Sequence, residues 1–162
     1  KNPPNLHKWE QRLNYHMPND GKSLVYHRKI VTIKENKIKE FNYKVLNNIL
    51  ACNNLVSKWD ASKSGNCEIC ALKDDIHHLL FKCTLAQSVW NTVAAHLDAP
   101  ITDVEVFLGV NDTTINYLYS FISFIIYKYW LVCSKNDFAL LKEDVTFKAS
   151  AYAEGKYLQH SN

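Results

Sequence analysis

The chain has 162 residues, 47% of them hydrophobic, with five cysteines and a formal net charge of +3. That length suits one domain, or a small domain with an appendage, and is enough to bury a core without relying on a metal or disulfides. A start at Lys1 without Met, and no apolar segment after a charged stretch, reads as an excised fragment with no secretory signal. The charge is uneven. Residues 1–50 hold ten Lys/Arg against four Asp/Glu, a balance of +6, while residues 51–162 hold nine against twelve, a balance of −3.

In chain order, residues 9–15 read as a short helix, followed by Met17-Pro18-Asn19-Asp20-Gly21, which is breaker and turn chemistry. Residues 24–33 alternate apolar and basic and include Val25, Ile30, Val31 and Ile33, so strand and helix are both admissible; the reading leans to helix. Residues 37–50 are clearer. Ile38, Phe41, Val45 and Ile49 recur at spacings of three and four, and Lys37, Glu40, Lys44 and Asn47 occupy the opposite face. Glu40 and Lys44 form a favourable i,i+4 pair on that helix. Residues 51–54 then read as a turn and 55–59 as a short helical return.

The next segment carries the most specific signal. Cys67, Cys70, His78 and Cys83 follow the pattern C-x2-C-x7-H-x4-C within seventeen residues. Three thiols and an imidazole are the donor set of a closed, tetrahedral, structural zinc site. With three of the five cysteines in that pattern, a reducing compartment fits better than a disulfide framework. Cys52 and Cys133 are read as small buried hydrophobes. His77 adjoins His78 and is a rival ligand, but it would give an H-x5-C arm, so His78 is preferred.

A catalytic zinc keeps three protein ligands and a water, with a carboxylate such as Glu68 or Asp75 as base; four good ligands leave no open position. The sequence also lacks a P-loop, a G-x-S-x-G elbow and an H-E-x-x-H helix. The expectation is therefore a non-enzymatic module with one structural Zn2+ and no small-molecule substrate.

Beyond the cluster, Val89, Trp90, Val93 and Leu97 mark a helix from about residue 86, stopped by Pro100. Thr102-Asp103-Val104-Glu105 has the form of a capping box, with Gly109 placed to end its helix. Residues 117–132 are the longest apolar run, preceded by the cap candidates 111–114. Interrupted by Lys128, the run is shorter than the ~20 residues that span a bilayer, so it reads as a buried helix and no membrane partner is expected. Asn116, Ser120, Ser123 and Tyr127 form its narrow polar stripe. Phe138, Leu141, Val145, Ala149 and Tyr152 keep helical spacing in the tail.

Together these elements predict an all-α fold, a small helical bundle with an inserted CCHC zinc knuckle. Its segments are 1–21 at the amino terminus, 22–66 basic and helical, 67–98 the knuckle and following helix, and 99–162 a carboxy-terminal helical part, within one compact domain. Lys22, Arg28, Lys29, Lys34, Lys37, Lys39 and Lys44 are the candidates for contacts to a phosphate backbone, with Tyr26, His27 or Tyr43 near enough in sequence to stack.

The chain resembles the carboxy-terminal zinc-binding region of non-LTR (LINE-type) retrotransposon reverse transcriptases. The resemblance begins near Lys8-Trp9-Glu10 and strengthens from Ile38 through Leu46. It includes the Ile49-Leu50-Ala51-Cys52-Asn53-Asn54-Leu55 turn, then Cys67-Glu68-Ile69-Cys70, the stretch from Ile76 to Cys83 and Trp90. Phe107-Leu108-Gly109 and residues 122–131 resemble segments found downstream in some elements. His77 beside His78, and Asp74-Asp75 where the family often has Glu-Thr, are departures. The resemblance implies an accessory module that helps hold template RNA and target DNA during target-primed reverse transcription. It implies RNA, and DNA as a second candidate, together with the polymerase domain of the same polyprotein as partners, and a place in nucleus and cytoplasm. A module docking on the polymerase or on a host protein is the alternative.

Overall fold

A computed structural model of the chain describes residues 6–132 and, beyond them, residues 143, 146, 147 and 150. Cys133 and the helical spacing proposed for the tail from Phe138 onward lie outside the described residues. Among those described the fold is all-α. The helices are α1 (His7–Leu13), α2 (Gly21–Tyr26), α3 (Asn36–Leu46), α4 (Asn53–Trp59), α5 (Thr84–Leu97), α6 (Asp103–Leu108) and α7 (Thr113–Val132). Two wide π-type turns, His27–Val31 after α2 and His78–Lys82 before α5, complete them. No helix among the described residues is long and apolar enough to cross a membrane.

The chain divides into two compact units. One comprises Lys1–Leu50 and Thr102–Phe121, the other Ala51–Ile101 and Ile122–Asn162.

Helix termination explains much of the local structure. α1, α3 and α5 each end with a residue in the left-handed region, at Asn14, Asn48 and Asp98. Each end is closed by a paired set of bonds, such as Ile49 N–H to Lys44 O and Asn48 N–H to Val45 O after α3. This is the Schellman arrangement, in which Asn or Asp does what glycine more often does because its short polar side chain tolerates positive φ. For α3 the early stop has a consequence. Ile49, expected in the apolar stripe, falls past the turn and is 55% exposed, and Leu46 and Leu50 are buried instead.

In the first unit, Trp9 is fully buried, stacks on Phe107 with ring centroids 4.4 Å apart and donates its indole N–H to Val45 O at 3.1 Å. Leu13, Val25, Ile38, Phe41 and Leu118 share the buried class with it. The capping box at the start of α6 is formed as its sequence predicts, with both Thr102 and Glu105 engaged.

The polar stripe of α7 turns inward. Asn116, Ser120 and Ser123 are all buried. Asn116 donates to Arg28 O at 2.7 Å, and the Ser120 hydroxyl oxygen accepts from Lys29 Nζ at 3.2 Å and Asn42 Nδ2 at 3.1 Å. Asn42 also donates to Lys29 O. Gly109, at φ +86°, makes room for this network, since a Cβ there would meet Asn116 Oδ1 at 2.8 Å and Arg28 Cβ at 2.9 Å.

In the second unit the core is Ile76, Leu79, Leu80, Val89, Trp90, Val93, Ile122 and Ile126. Trp90, 2% exposed, donates Nε1–H to Leu80 O at 2.8 Å and so fastens α5 to the π-type turn that precedes it. Cys52 is buried as expected. The backbone N–H groups of Asn54 and Leu55 face its sulfur, so it also covers the open end of α4.

Candidate metal centre

Two short backbone devices create the centre. In the first, Cys67 N–H bonds Leu72 O at 2.7 Å and Ala71 N–H bonds Cys67 O at 2.9 Å, folding residues 67–72 into a tight turn. Ala71 sits at φ +58° to close it, and an isolated antiparallel bridge between Asn66 and Lys73 braces its base. In the second, the π-type turn carries the bond from Cys83 N–H to His78 O at 2.7 Å. Asp75 accepts the His78 N–H at 2.9 Å and caps that turn, so this carboxylate has a structural task.

The two devices bring one donor atom from each of Cys67, Cys70, His78 and Cys83 to within 4.8 Å of one another. Cys83 Sγ lies 3.9 Å from both Cys67 Sγ and Cys70 Sγ. His77 is buried next door but is outside the cluster. Glu68 is exposed, and neither it nor Asp75 belongs to the group.

Whether these residues fit a metal can be judged from their own chemistry. His78 Nε2 is buried with no hydrogen-bond partner. An orphaned acceptor of that kind costs free energy unless something electropositive meets it. Burial lowers the imidazole's proton affinity, which Asp75 partly opposes, so the neutral ring that ligation needs is favoured. Burial pushes Cys83 up to about 12; the Leu85 N–H opposes this, and the neighbouring Cys67 and Cys70 thiols add to it. Burial raises Cys67 as well, opposed by the N–H groups of Cys70 and Ile69. At Cys70 burial is outweighed by the Thr84 N–H and hydroxyl and by the neighbouring thiols, and the thiol falls below its ordinary value. Three sulfurs packed this closely repel once ionised, so the site calls for a divalent cation. The donor set fits zinc.

The surroundings supply what the sulfurs require as ligands. N–H groups of Ile69 and Cys70 point at Cys67, that of Thr84 at Cys70 and that of Leu85 at Cys83. Thr84 and Leu85 open α5, whose N-cap is Cys83 and which has no side-chain cap. The free N–H groups of that helix end therefore face thiolate positions, where the helix dipole also favours negative charge. Thr84 Oγ1 lies 3.6 Å from Cys70 Sγ. Sequence reasoning missed Thr84; its signal was a hydroxyl residue directly after the last cysteine at a predicted helix start.

Asp74 stands behind the first turn, 1% exposed. Burial, with help from Asp75, raises its carboxyl to about 6, against the pull of an Asn53 amide donating at 2.8 Å.

The basic residues fare unevenly. Lys29 is only 3% exposed and its ammonium is committed to Ser120, so this lysine cannot reach a phosphate; that expectation is corrected. Local alternation could not reveal it, because the partner lies 91 positions away. Arg28 is half-buried and donates to Gly109 O and Asn111 Oδ1. Lys22, Lys34, Lys37 and Lys44 are exposed and Lys39 is half-buried. Lys37 lies 3.9 Å from Glu35, and Lys44 pairs with Glu40 at 3.1 Å as its spacing predicted.

Among known families, the model of the one described as zinc-binding in reverse transcriptase matches residues 7–90. That span includes all four residues of the cluster. No curated protein and no solved structure matches the chain.

Proposed function

We infer the function from one premise: the chain belongs to the family described as zinc-binding in reverse transcriptase. That family is an accessory domain and not the catalytic one. The proposed role is a zinc-stabilised nucleic-acid-binding module of a non-LTR (LINE-type) element, which holds RNA, and target DNA as a second ligand, during target-primed reverse transcription. Cys67, Cys70, His78 and Cys83 would hold one structural zinc ion, with His78 ligating through Nε2. Such an ion would cross-link the two turns, and four protein ligands would leave no position for a water.

The observation that carries the reading is the cluster of four donor residues inside the family match. Support for a polyanion comes from the exposed Lys22, Lys34, Lys37 and Lys44. The acid partners of Lys37 and Lys44 are themselves largely exposed. Such surface pairs hold a lysine with less than about 1 kcal/mol, so phosphate can displace them.

The test is a titration of single-stranded RNA and DNA against salt. Four lysine–phosphate contacts predict a log–log slope of about −3 on single strands. Lys37→Glu with Lys44→Glu should weaken binding and leave zinc content unchanged. A flat salt response would instead favour docking on the polymerase domain or a host protein. The exposed apolar side chains of Leu24 and Val31, at 42% and 55%, suit that second reading.

A further inference from the structure

Trp59 is out of place as a structural residue. It is 71% exposed at the last position of α4, whereas Trp9 and Trp90 are core. α4 itself buries none of its residues. An indole left this open forfeits about the largest burial gain any side chain offers.

Its neighbours are specific. Lys58 precedes it and Lys63 follows within a turn closed by Lys63 N–H to Asp60 O at 3.0 Å. Both lysines are exposed, and among the described residues neither takes part in an ion pair. The nearby acid is occupied locally, since Asp60 Oδ1 accepts from the Ser62 N–H at 3.0 Å and the Ser62 hydroxyl at 2.7 Å. An open aromatic side chain is therefore flanked in sequence by two exposed lysines, the second of which also feels the charge of Asp60.

The mounting is firm. The chain returns along α4, where a Cβ on Gly65 would sit 3.0 Å from Ser57 Oγ. Asn53 donates to Asn66 O, Asn54 N–H bonds Asp74 O, and Asp74 N–H bonds Gly65 O. These bonds tie α4 to the base of the turn that carries Cys67 and Cys70.

We propose that Trp59 is a stacking platform for one base of a single-stranded nucleic acid, with Lys58 and Lys63 on the flanking phosphates. Every base presents a π face, so such a platform tolerates sequence, and the cations match the charge of the backbone. The proposal rests on the nucleic-acid reading above and adds to it a site and a strandedness.

The experiment uses the full chain, zinc-loaded, with an oligouridine and an oligodeoxythymidine of about twelve nucleotides. Binding of the parent should quench indole fluorescence, and the Trp59→Phe variant should lack that quench while keeping most of the affinity. Trp59→Ala should bind about tenfold more weakly or worse, with zinc content and melting unchanged because the side chain is exposed. Lys58→Gln with Lys63→Gln should make the log–log salt slope shallower by about 1.4. It decides the matter should the alanine variant prove unstable. Equal affinity and equal slopes in these variants, with the parent still binding, would overturn the platform and leave the general reading intact. Loss of a polymerase-domain contact in Trp59→Ala, without loss of oligonucleotide affinity, would make Trp59 a protein contact and also overturn it. A parent that binds neither oligonucleotide would remove both.

Discussion

Two interiors of this molecule handle buried polarity in opposite ways. In the first unit Lys29, Asn42, Ser120, Asn116 and the Arg28 carbonyl answer one another with hydrogen bonds drawn wholly from the chain. In the second, three thiols and the unpartnered His78 Nε2 converge with nothing of the chain's own between them. The first interior is closed by the chain's own groups, save Arg28 Nε, which is buried with no hydrogen-bond partner. The second is finished only by a cation, so metal supply and proton concentration govern it.

The largest expected effect breaks the second interior and spares the first. Chelation, or Cys83→Ser, should remove the metal and cost upwards of about 4 kcal/mol locally, the size that loss of a structural metal brings. Hydrogen exchange should show protection lost across residues 67–83 while amides of residues 38–46 stay protected. Acidification should act in the same direction. Metal binding requires sulfur to give up its proton, and burial holds the Cys67 and Cys83 protons firmly, so affinity falls as pH falls. Loss of protection in both regions together would mean that the first interior also depends on the ion.

The next effect probes the first interior. Burial lowers the Lys29 ammonium from 10.5 to about 7. Between those values the unfolded chain binds a proton that the folded chain has released, so stability should rise with pH from about 7 towards 10.5. Below pH 7 both states carry the proton, and the penalty of the buried charge is present in full. Near neutrality that penalty is about 4 kcal/mol, at ~1.4 kcal/mol for each tenfold loss of proton affinity, and the lost bond to Ser120 offsets about 1 kcal/mol of it. Lys29→Met should therefore stabilise the protein by about 3 kcal/mol at pH 7 and flatten the alkaline rise. Urea titrations of parent and variant at pH 7 and pH 9.5 check both. An unchanged slope would show that the amine stays charged in its pocket.

The same contrast explains what the sequence made legible. The convergence of Cys67, Cys70, His78 and Cys83 was readable because all four lie within seventeen residues, and two local turns suffice to gather them. The capping box at Thr102 and the pairing of Glu40 with Lys44 were readable for the same reason: each spans three or four positions. The first interior was not. Lys29 looked like one more surface cation and Ser120 like part of a polar stripe, because each is satisfied by a residue some ninety positions distant. Ile49 misled through a different cause. Periodicity continued past the point where Asn48 took a left-handed conformation and ended the helix. The exposure of Trp59 was not legible, because a tryptophan in a helical segment is ordinarily largely buried.

A smaller effect sharpens the account of how the chain supports its ligands. Thr84→Val keeps the shape of the side chain and removes the hydroxyl 3.6 Å from Cys70 Sγ. The N–H groups at the start of α5 remain, so the site should still form. Losing one outer-shell donor should lower zinc affinity by about tenfold, the low end for such partners, as read by competition against a chelator. An unchanged affinity would assign the support of Cys70 to the backbone alone.

The smallest effect lies in the turn that carries the first two cysteines. Ala71 adopts φ +58°, a region that costs a residue with a Cβ roughly 1–2 kcal/mol. Ala71→Gly would relieve that strain but lose about 0.5–1 kcal/mol to the greater freedom of glycine in the unfolded chain. The balance favours the variant by at most about 1.5 kcal/mol. Because the strain resides in the turn and not in the metal bonds, the gain should survive chelation, appearing in zinc-free protein as a modest rise in protection at Cys67 and Leu72, whose N–H and carbonyl close the turn. A gain confined to zinc-loaded protein would show that the turn takes its left-handed form only when the metal is bound, and that the second interior depends on its cation for backbone shape as well as for charge.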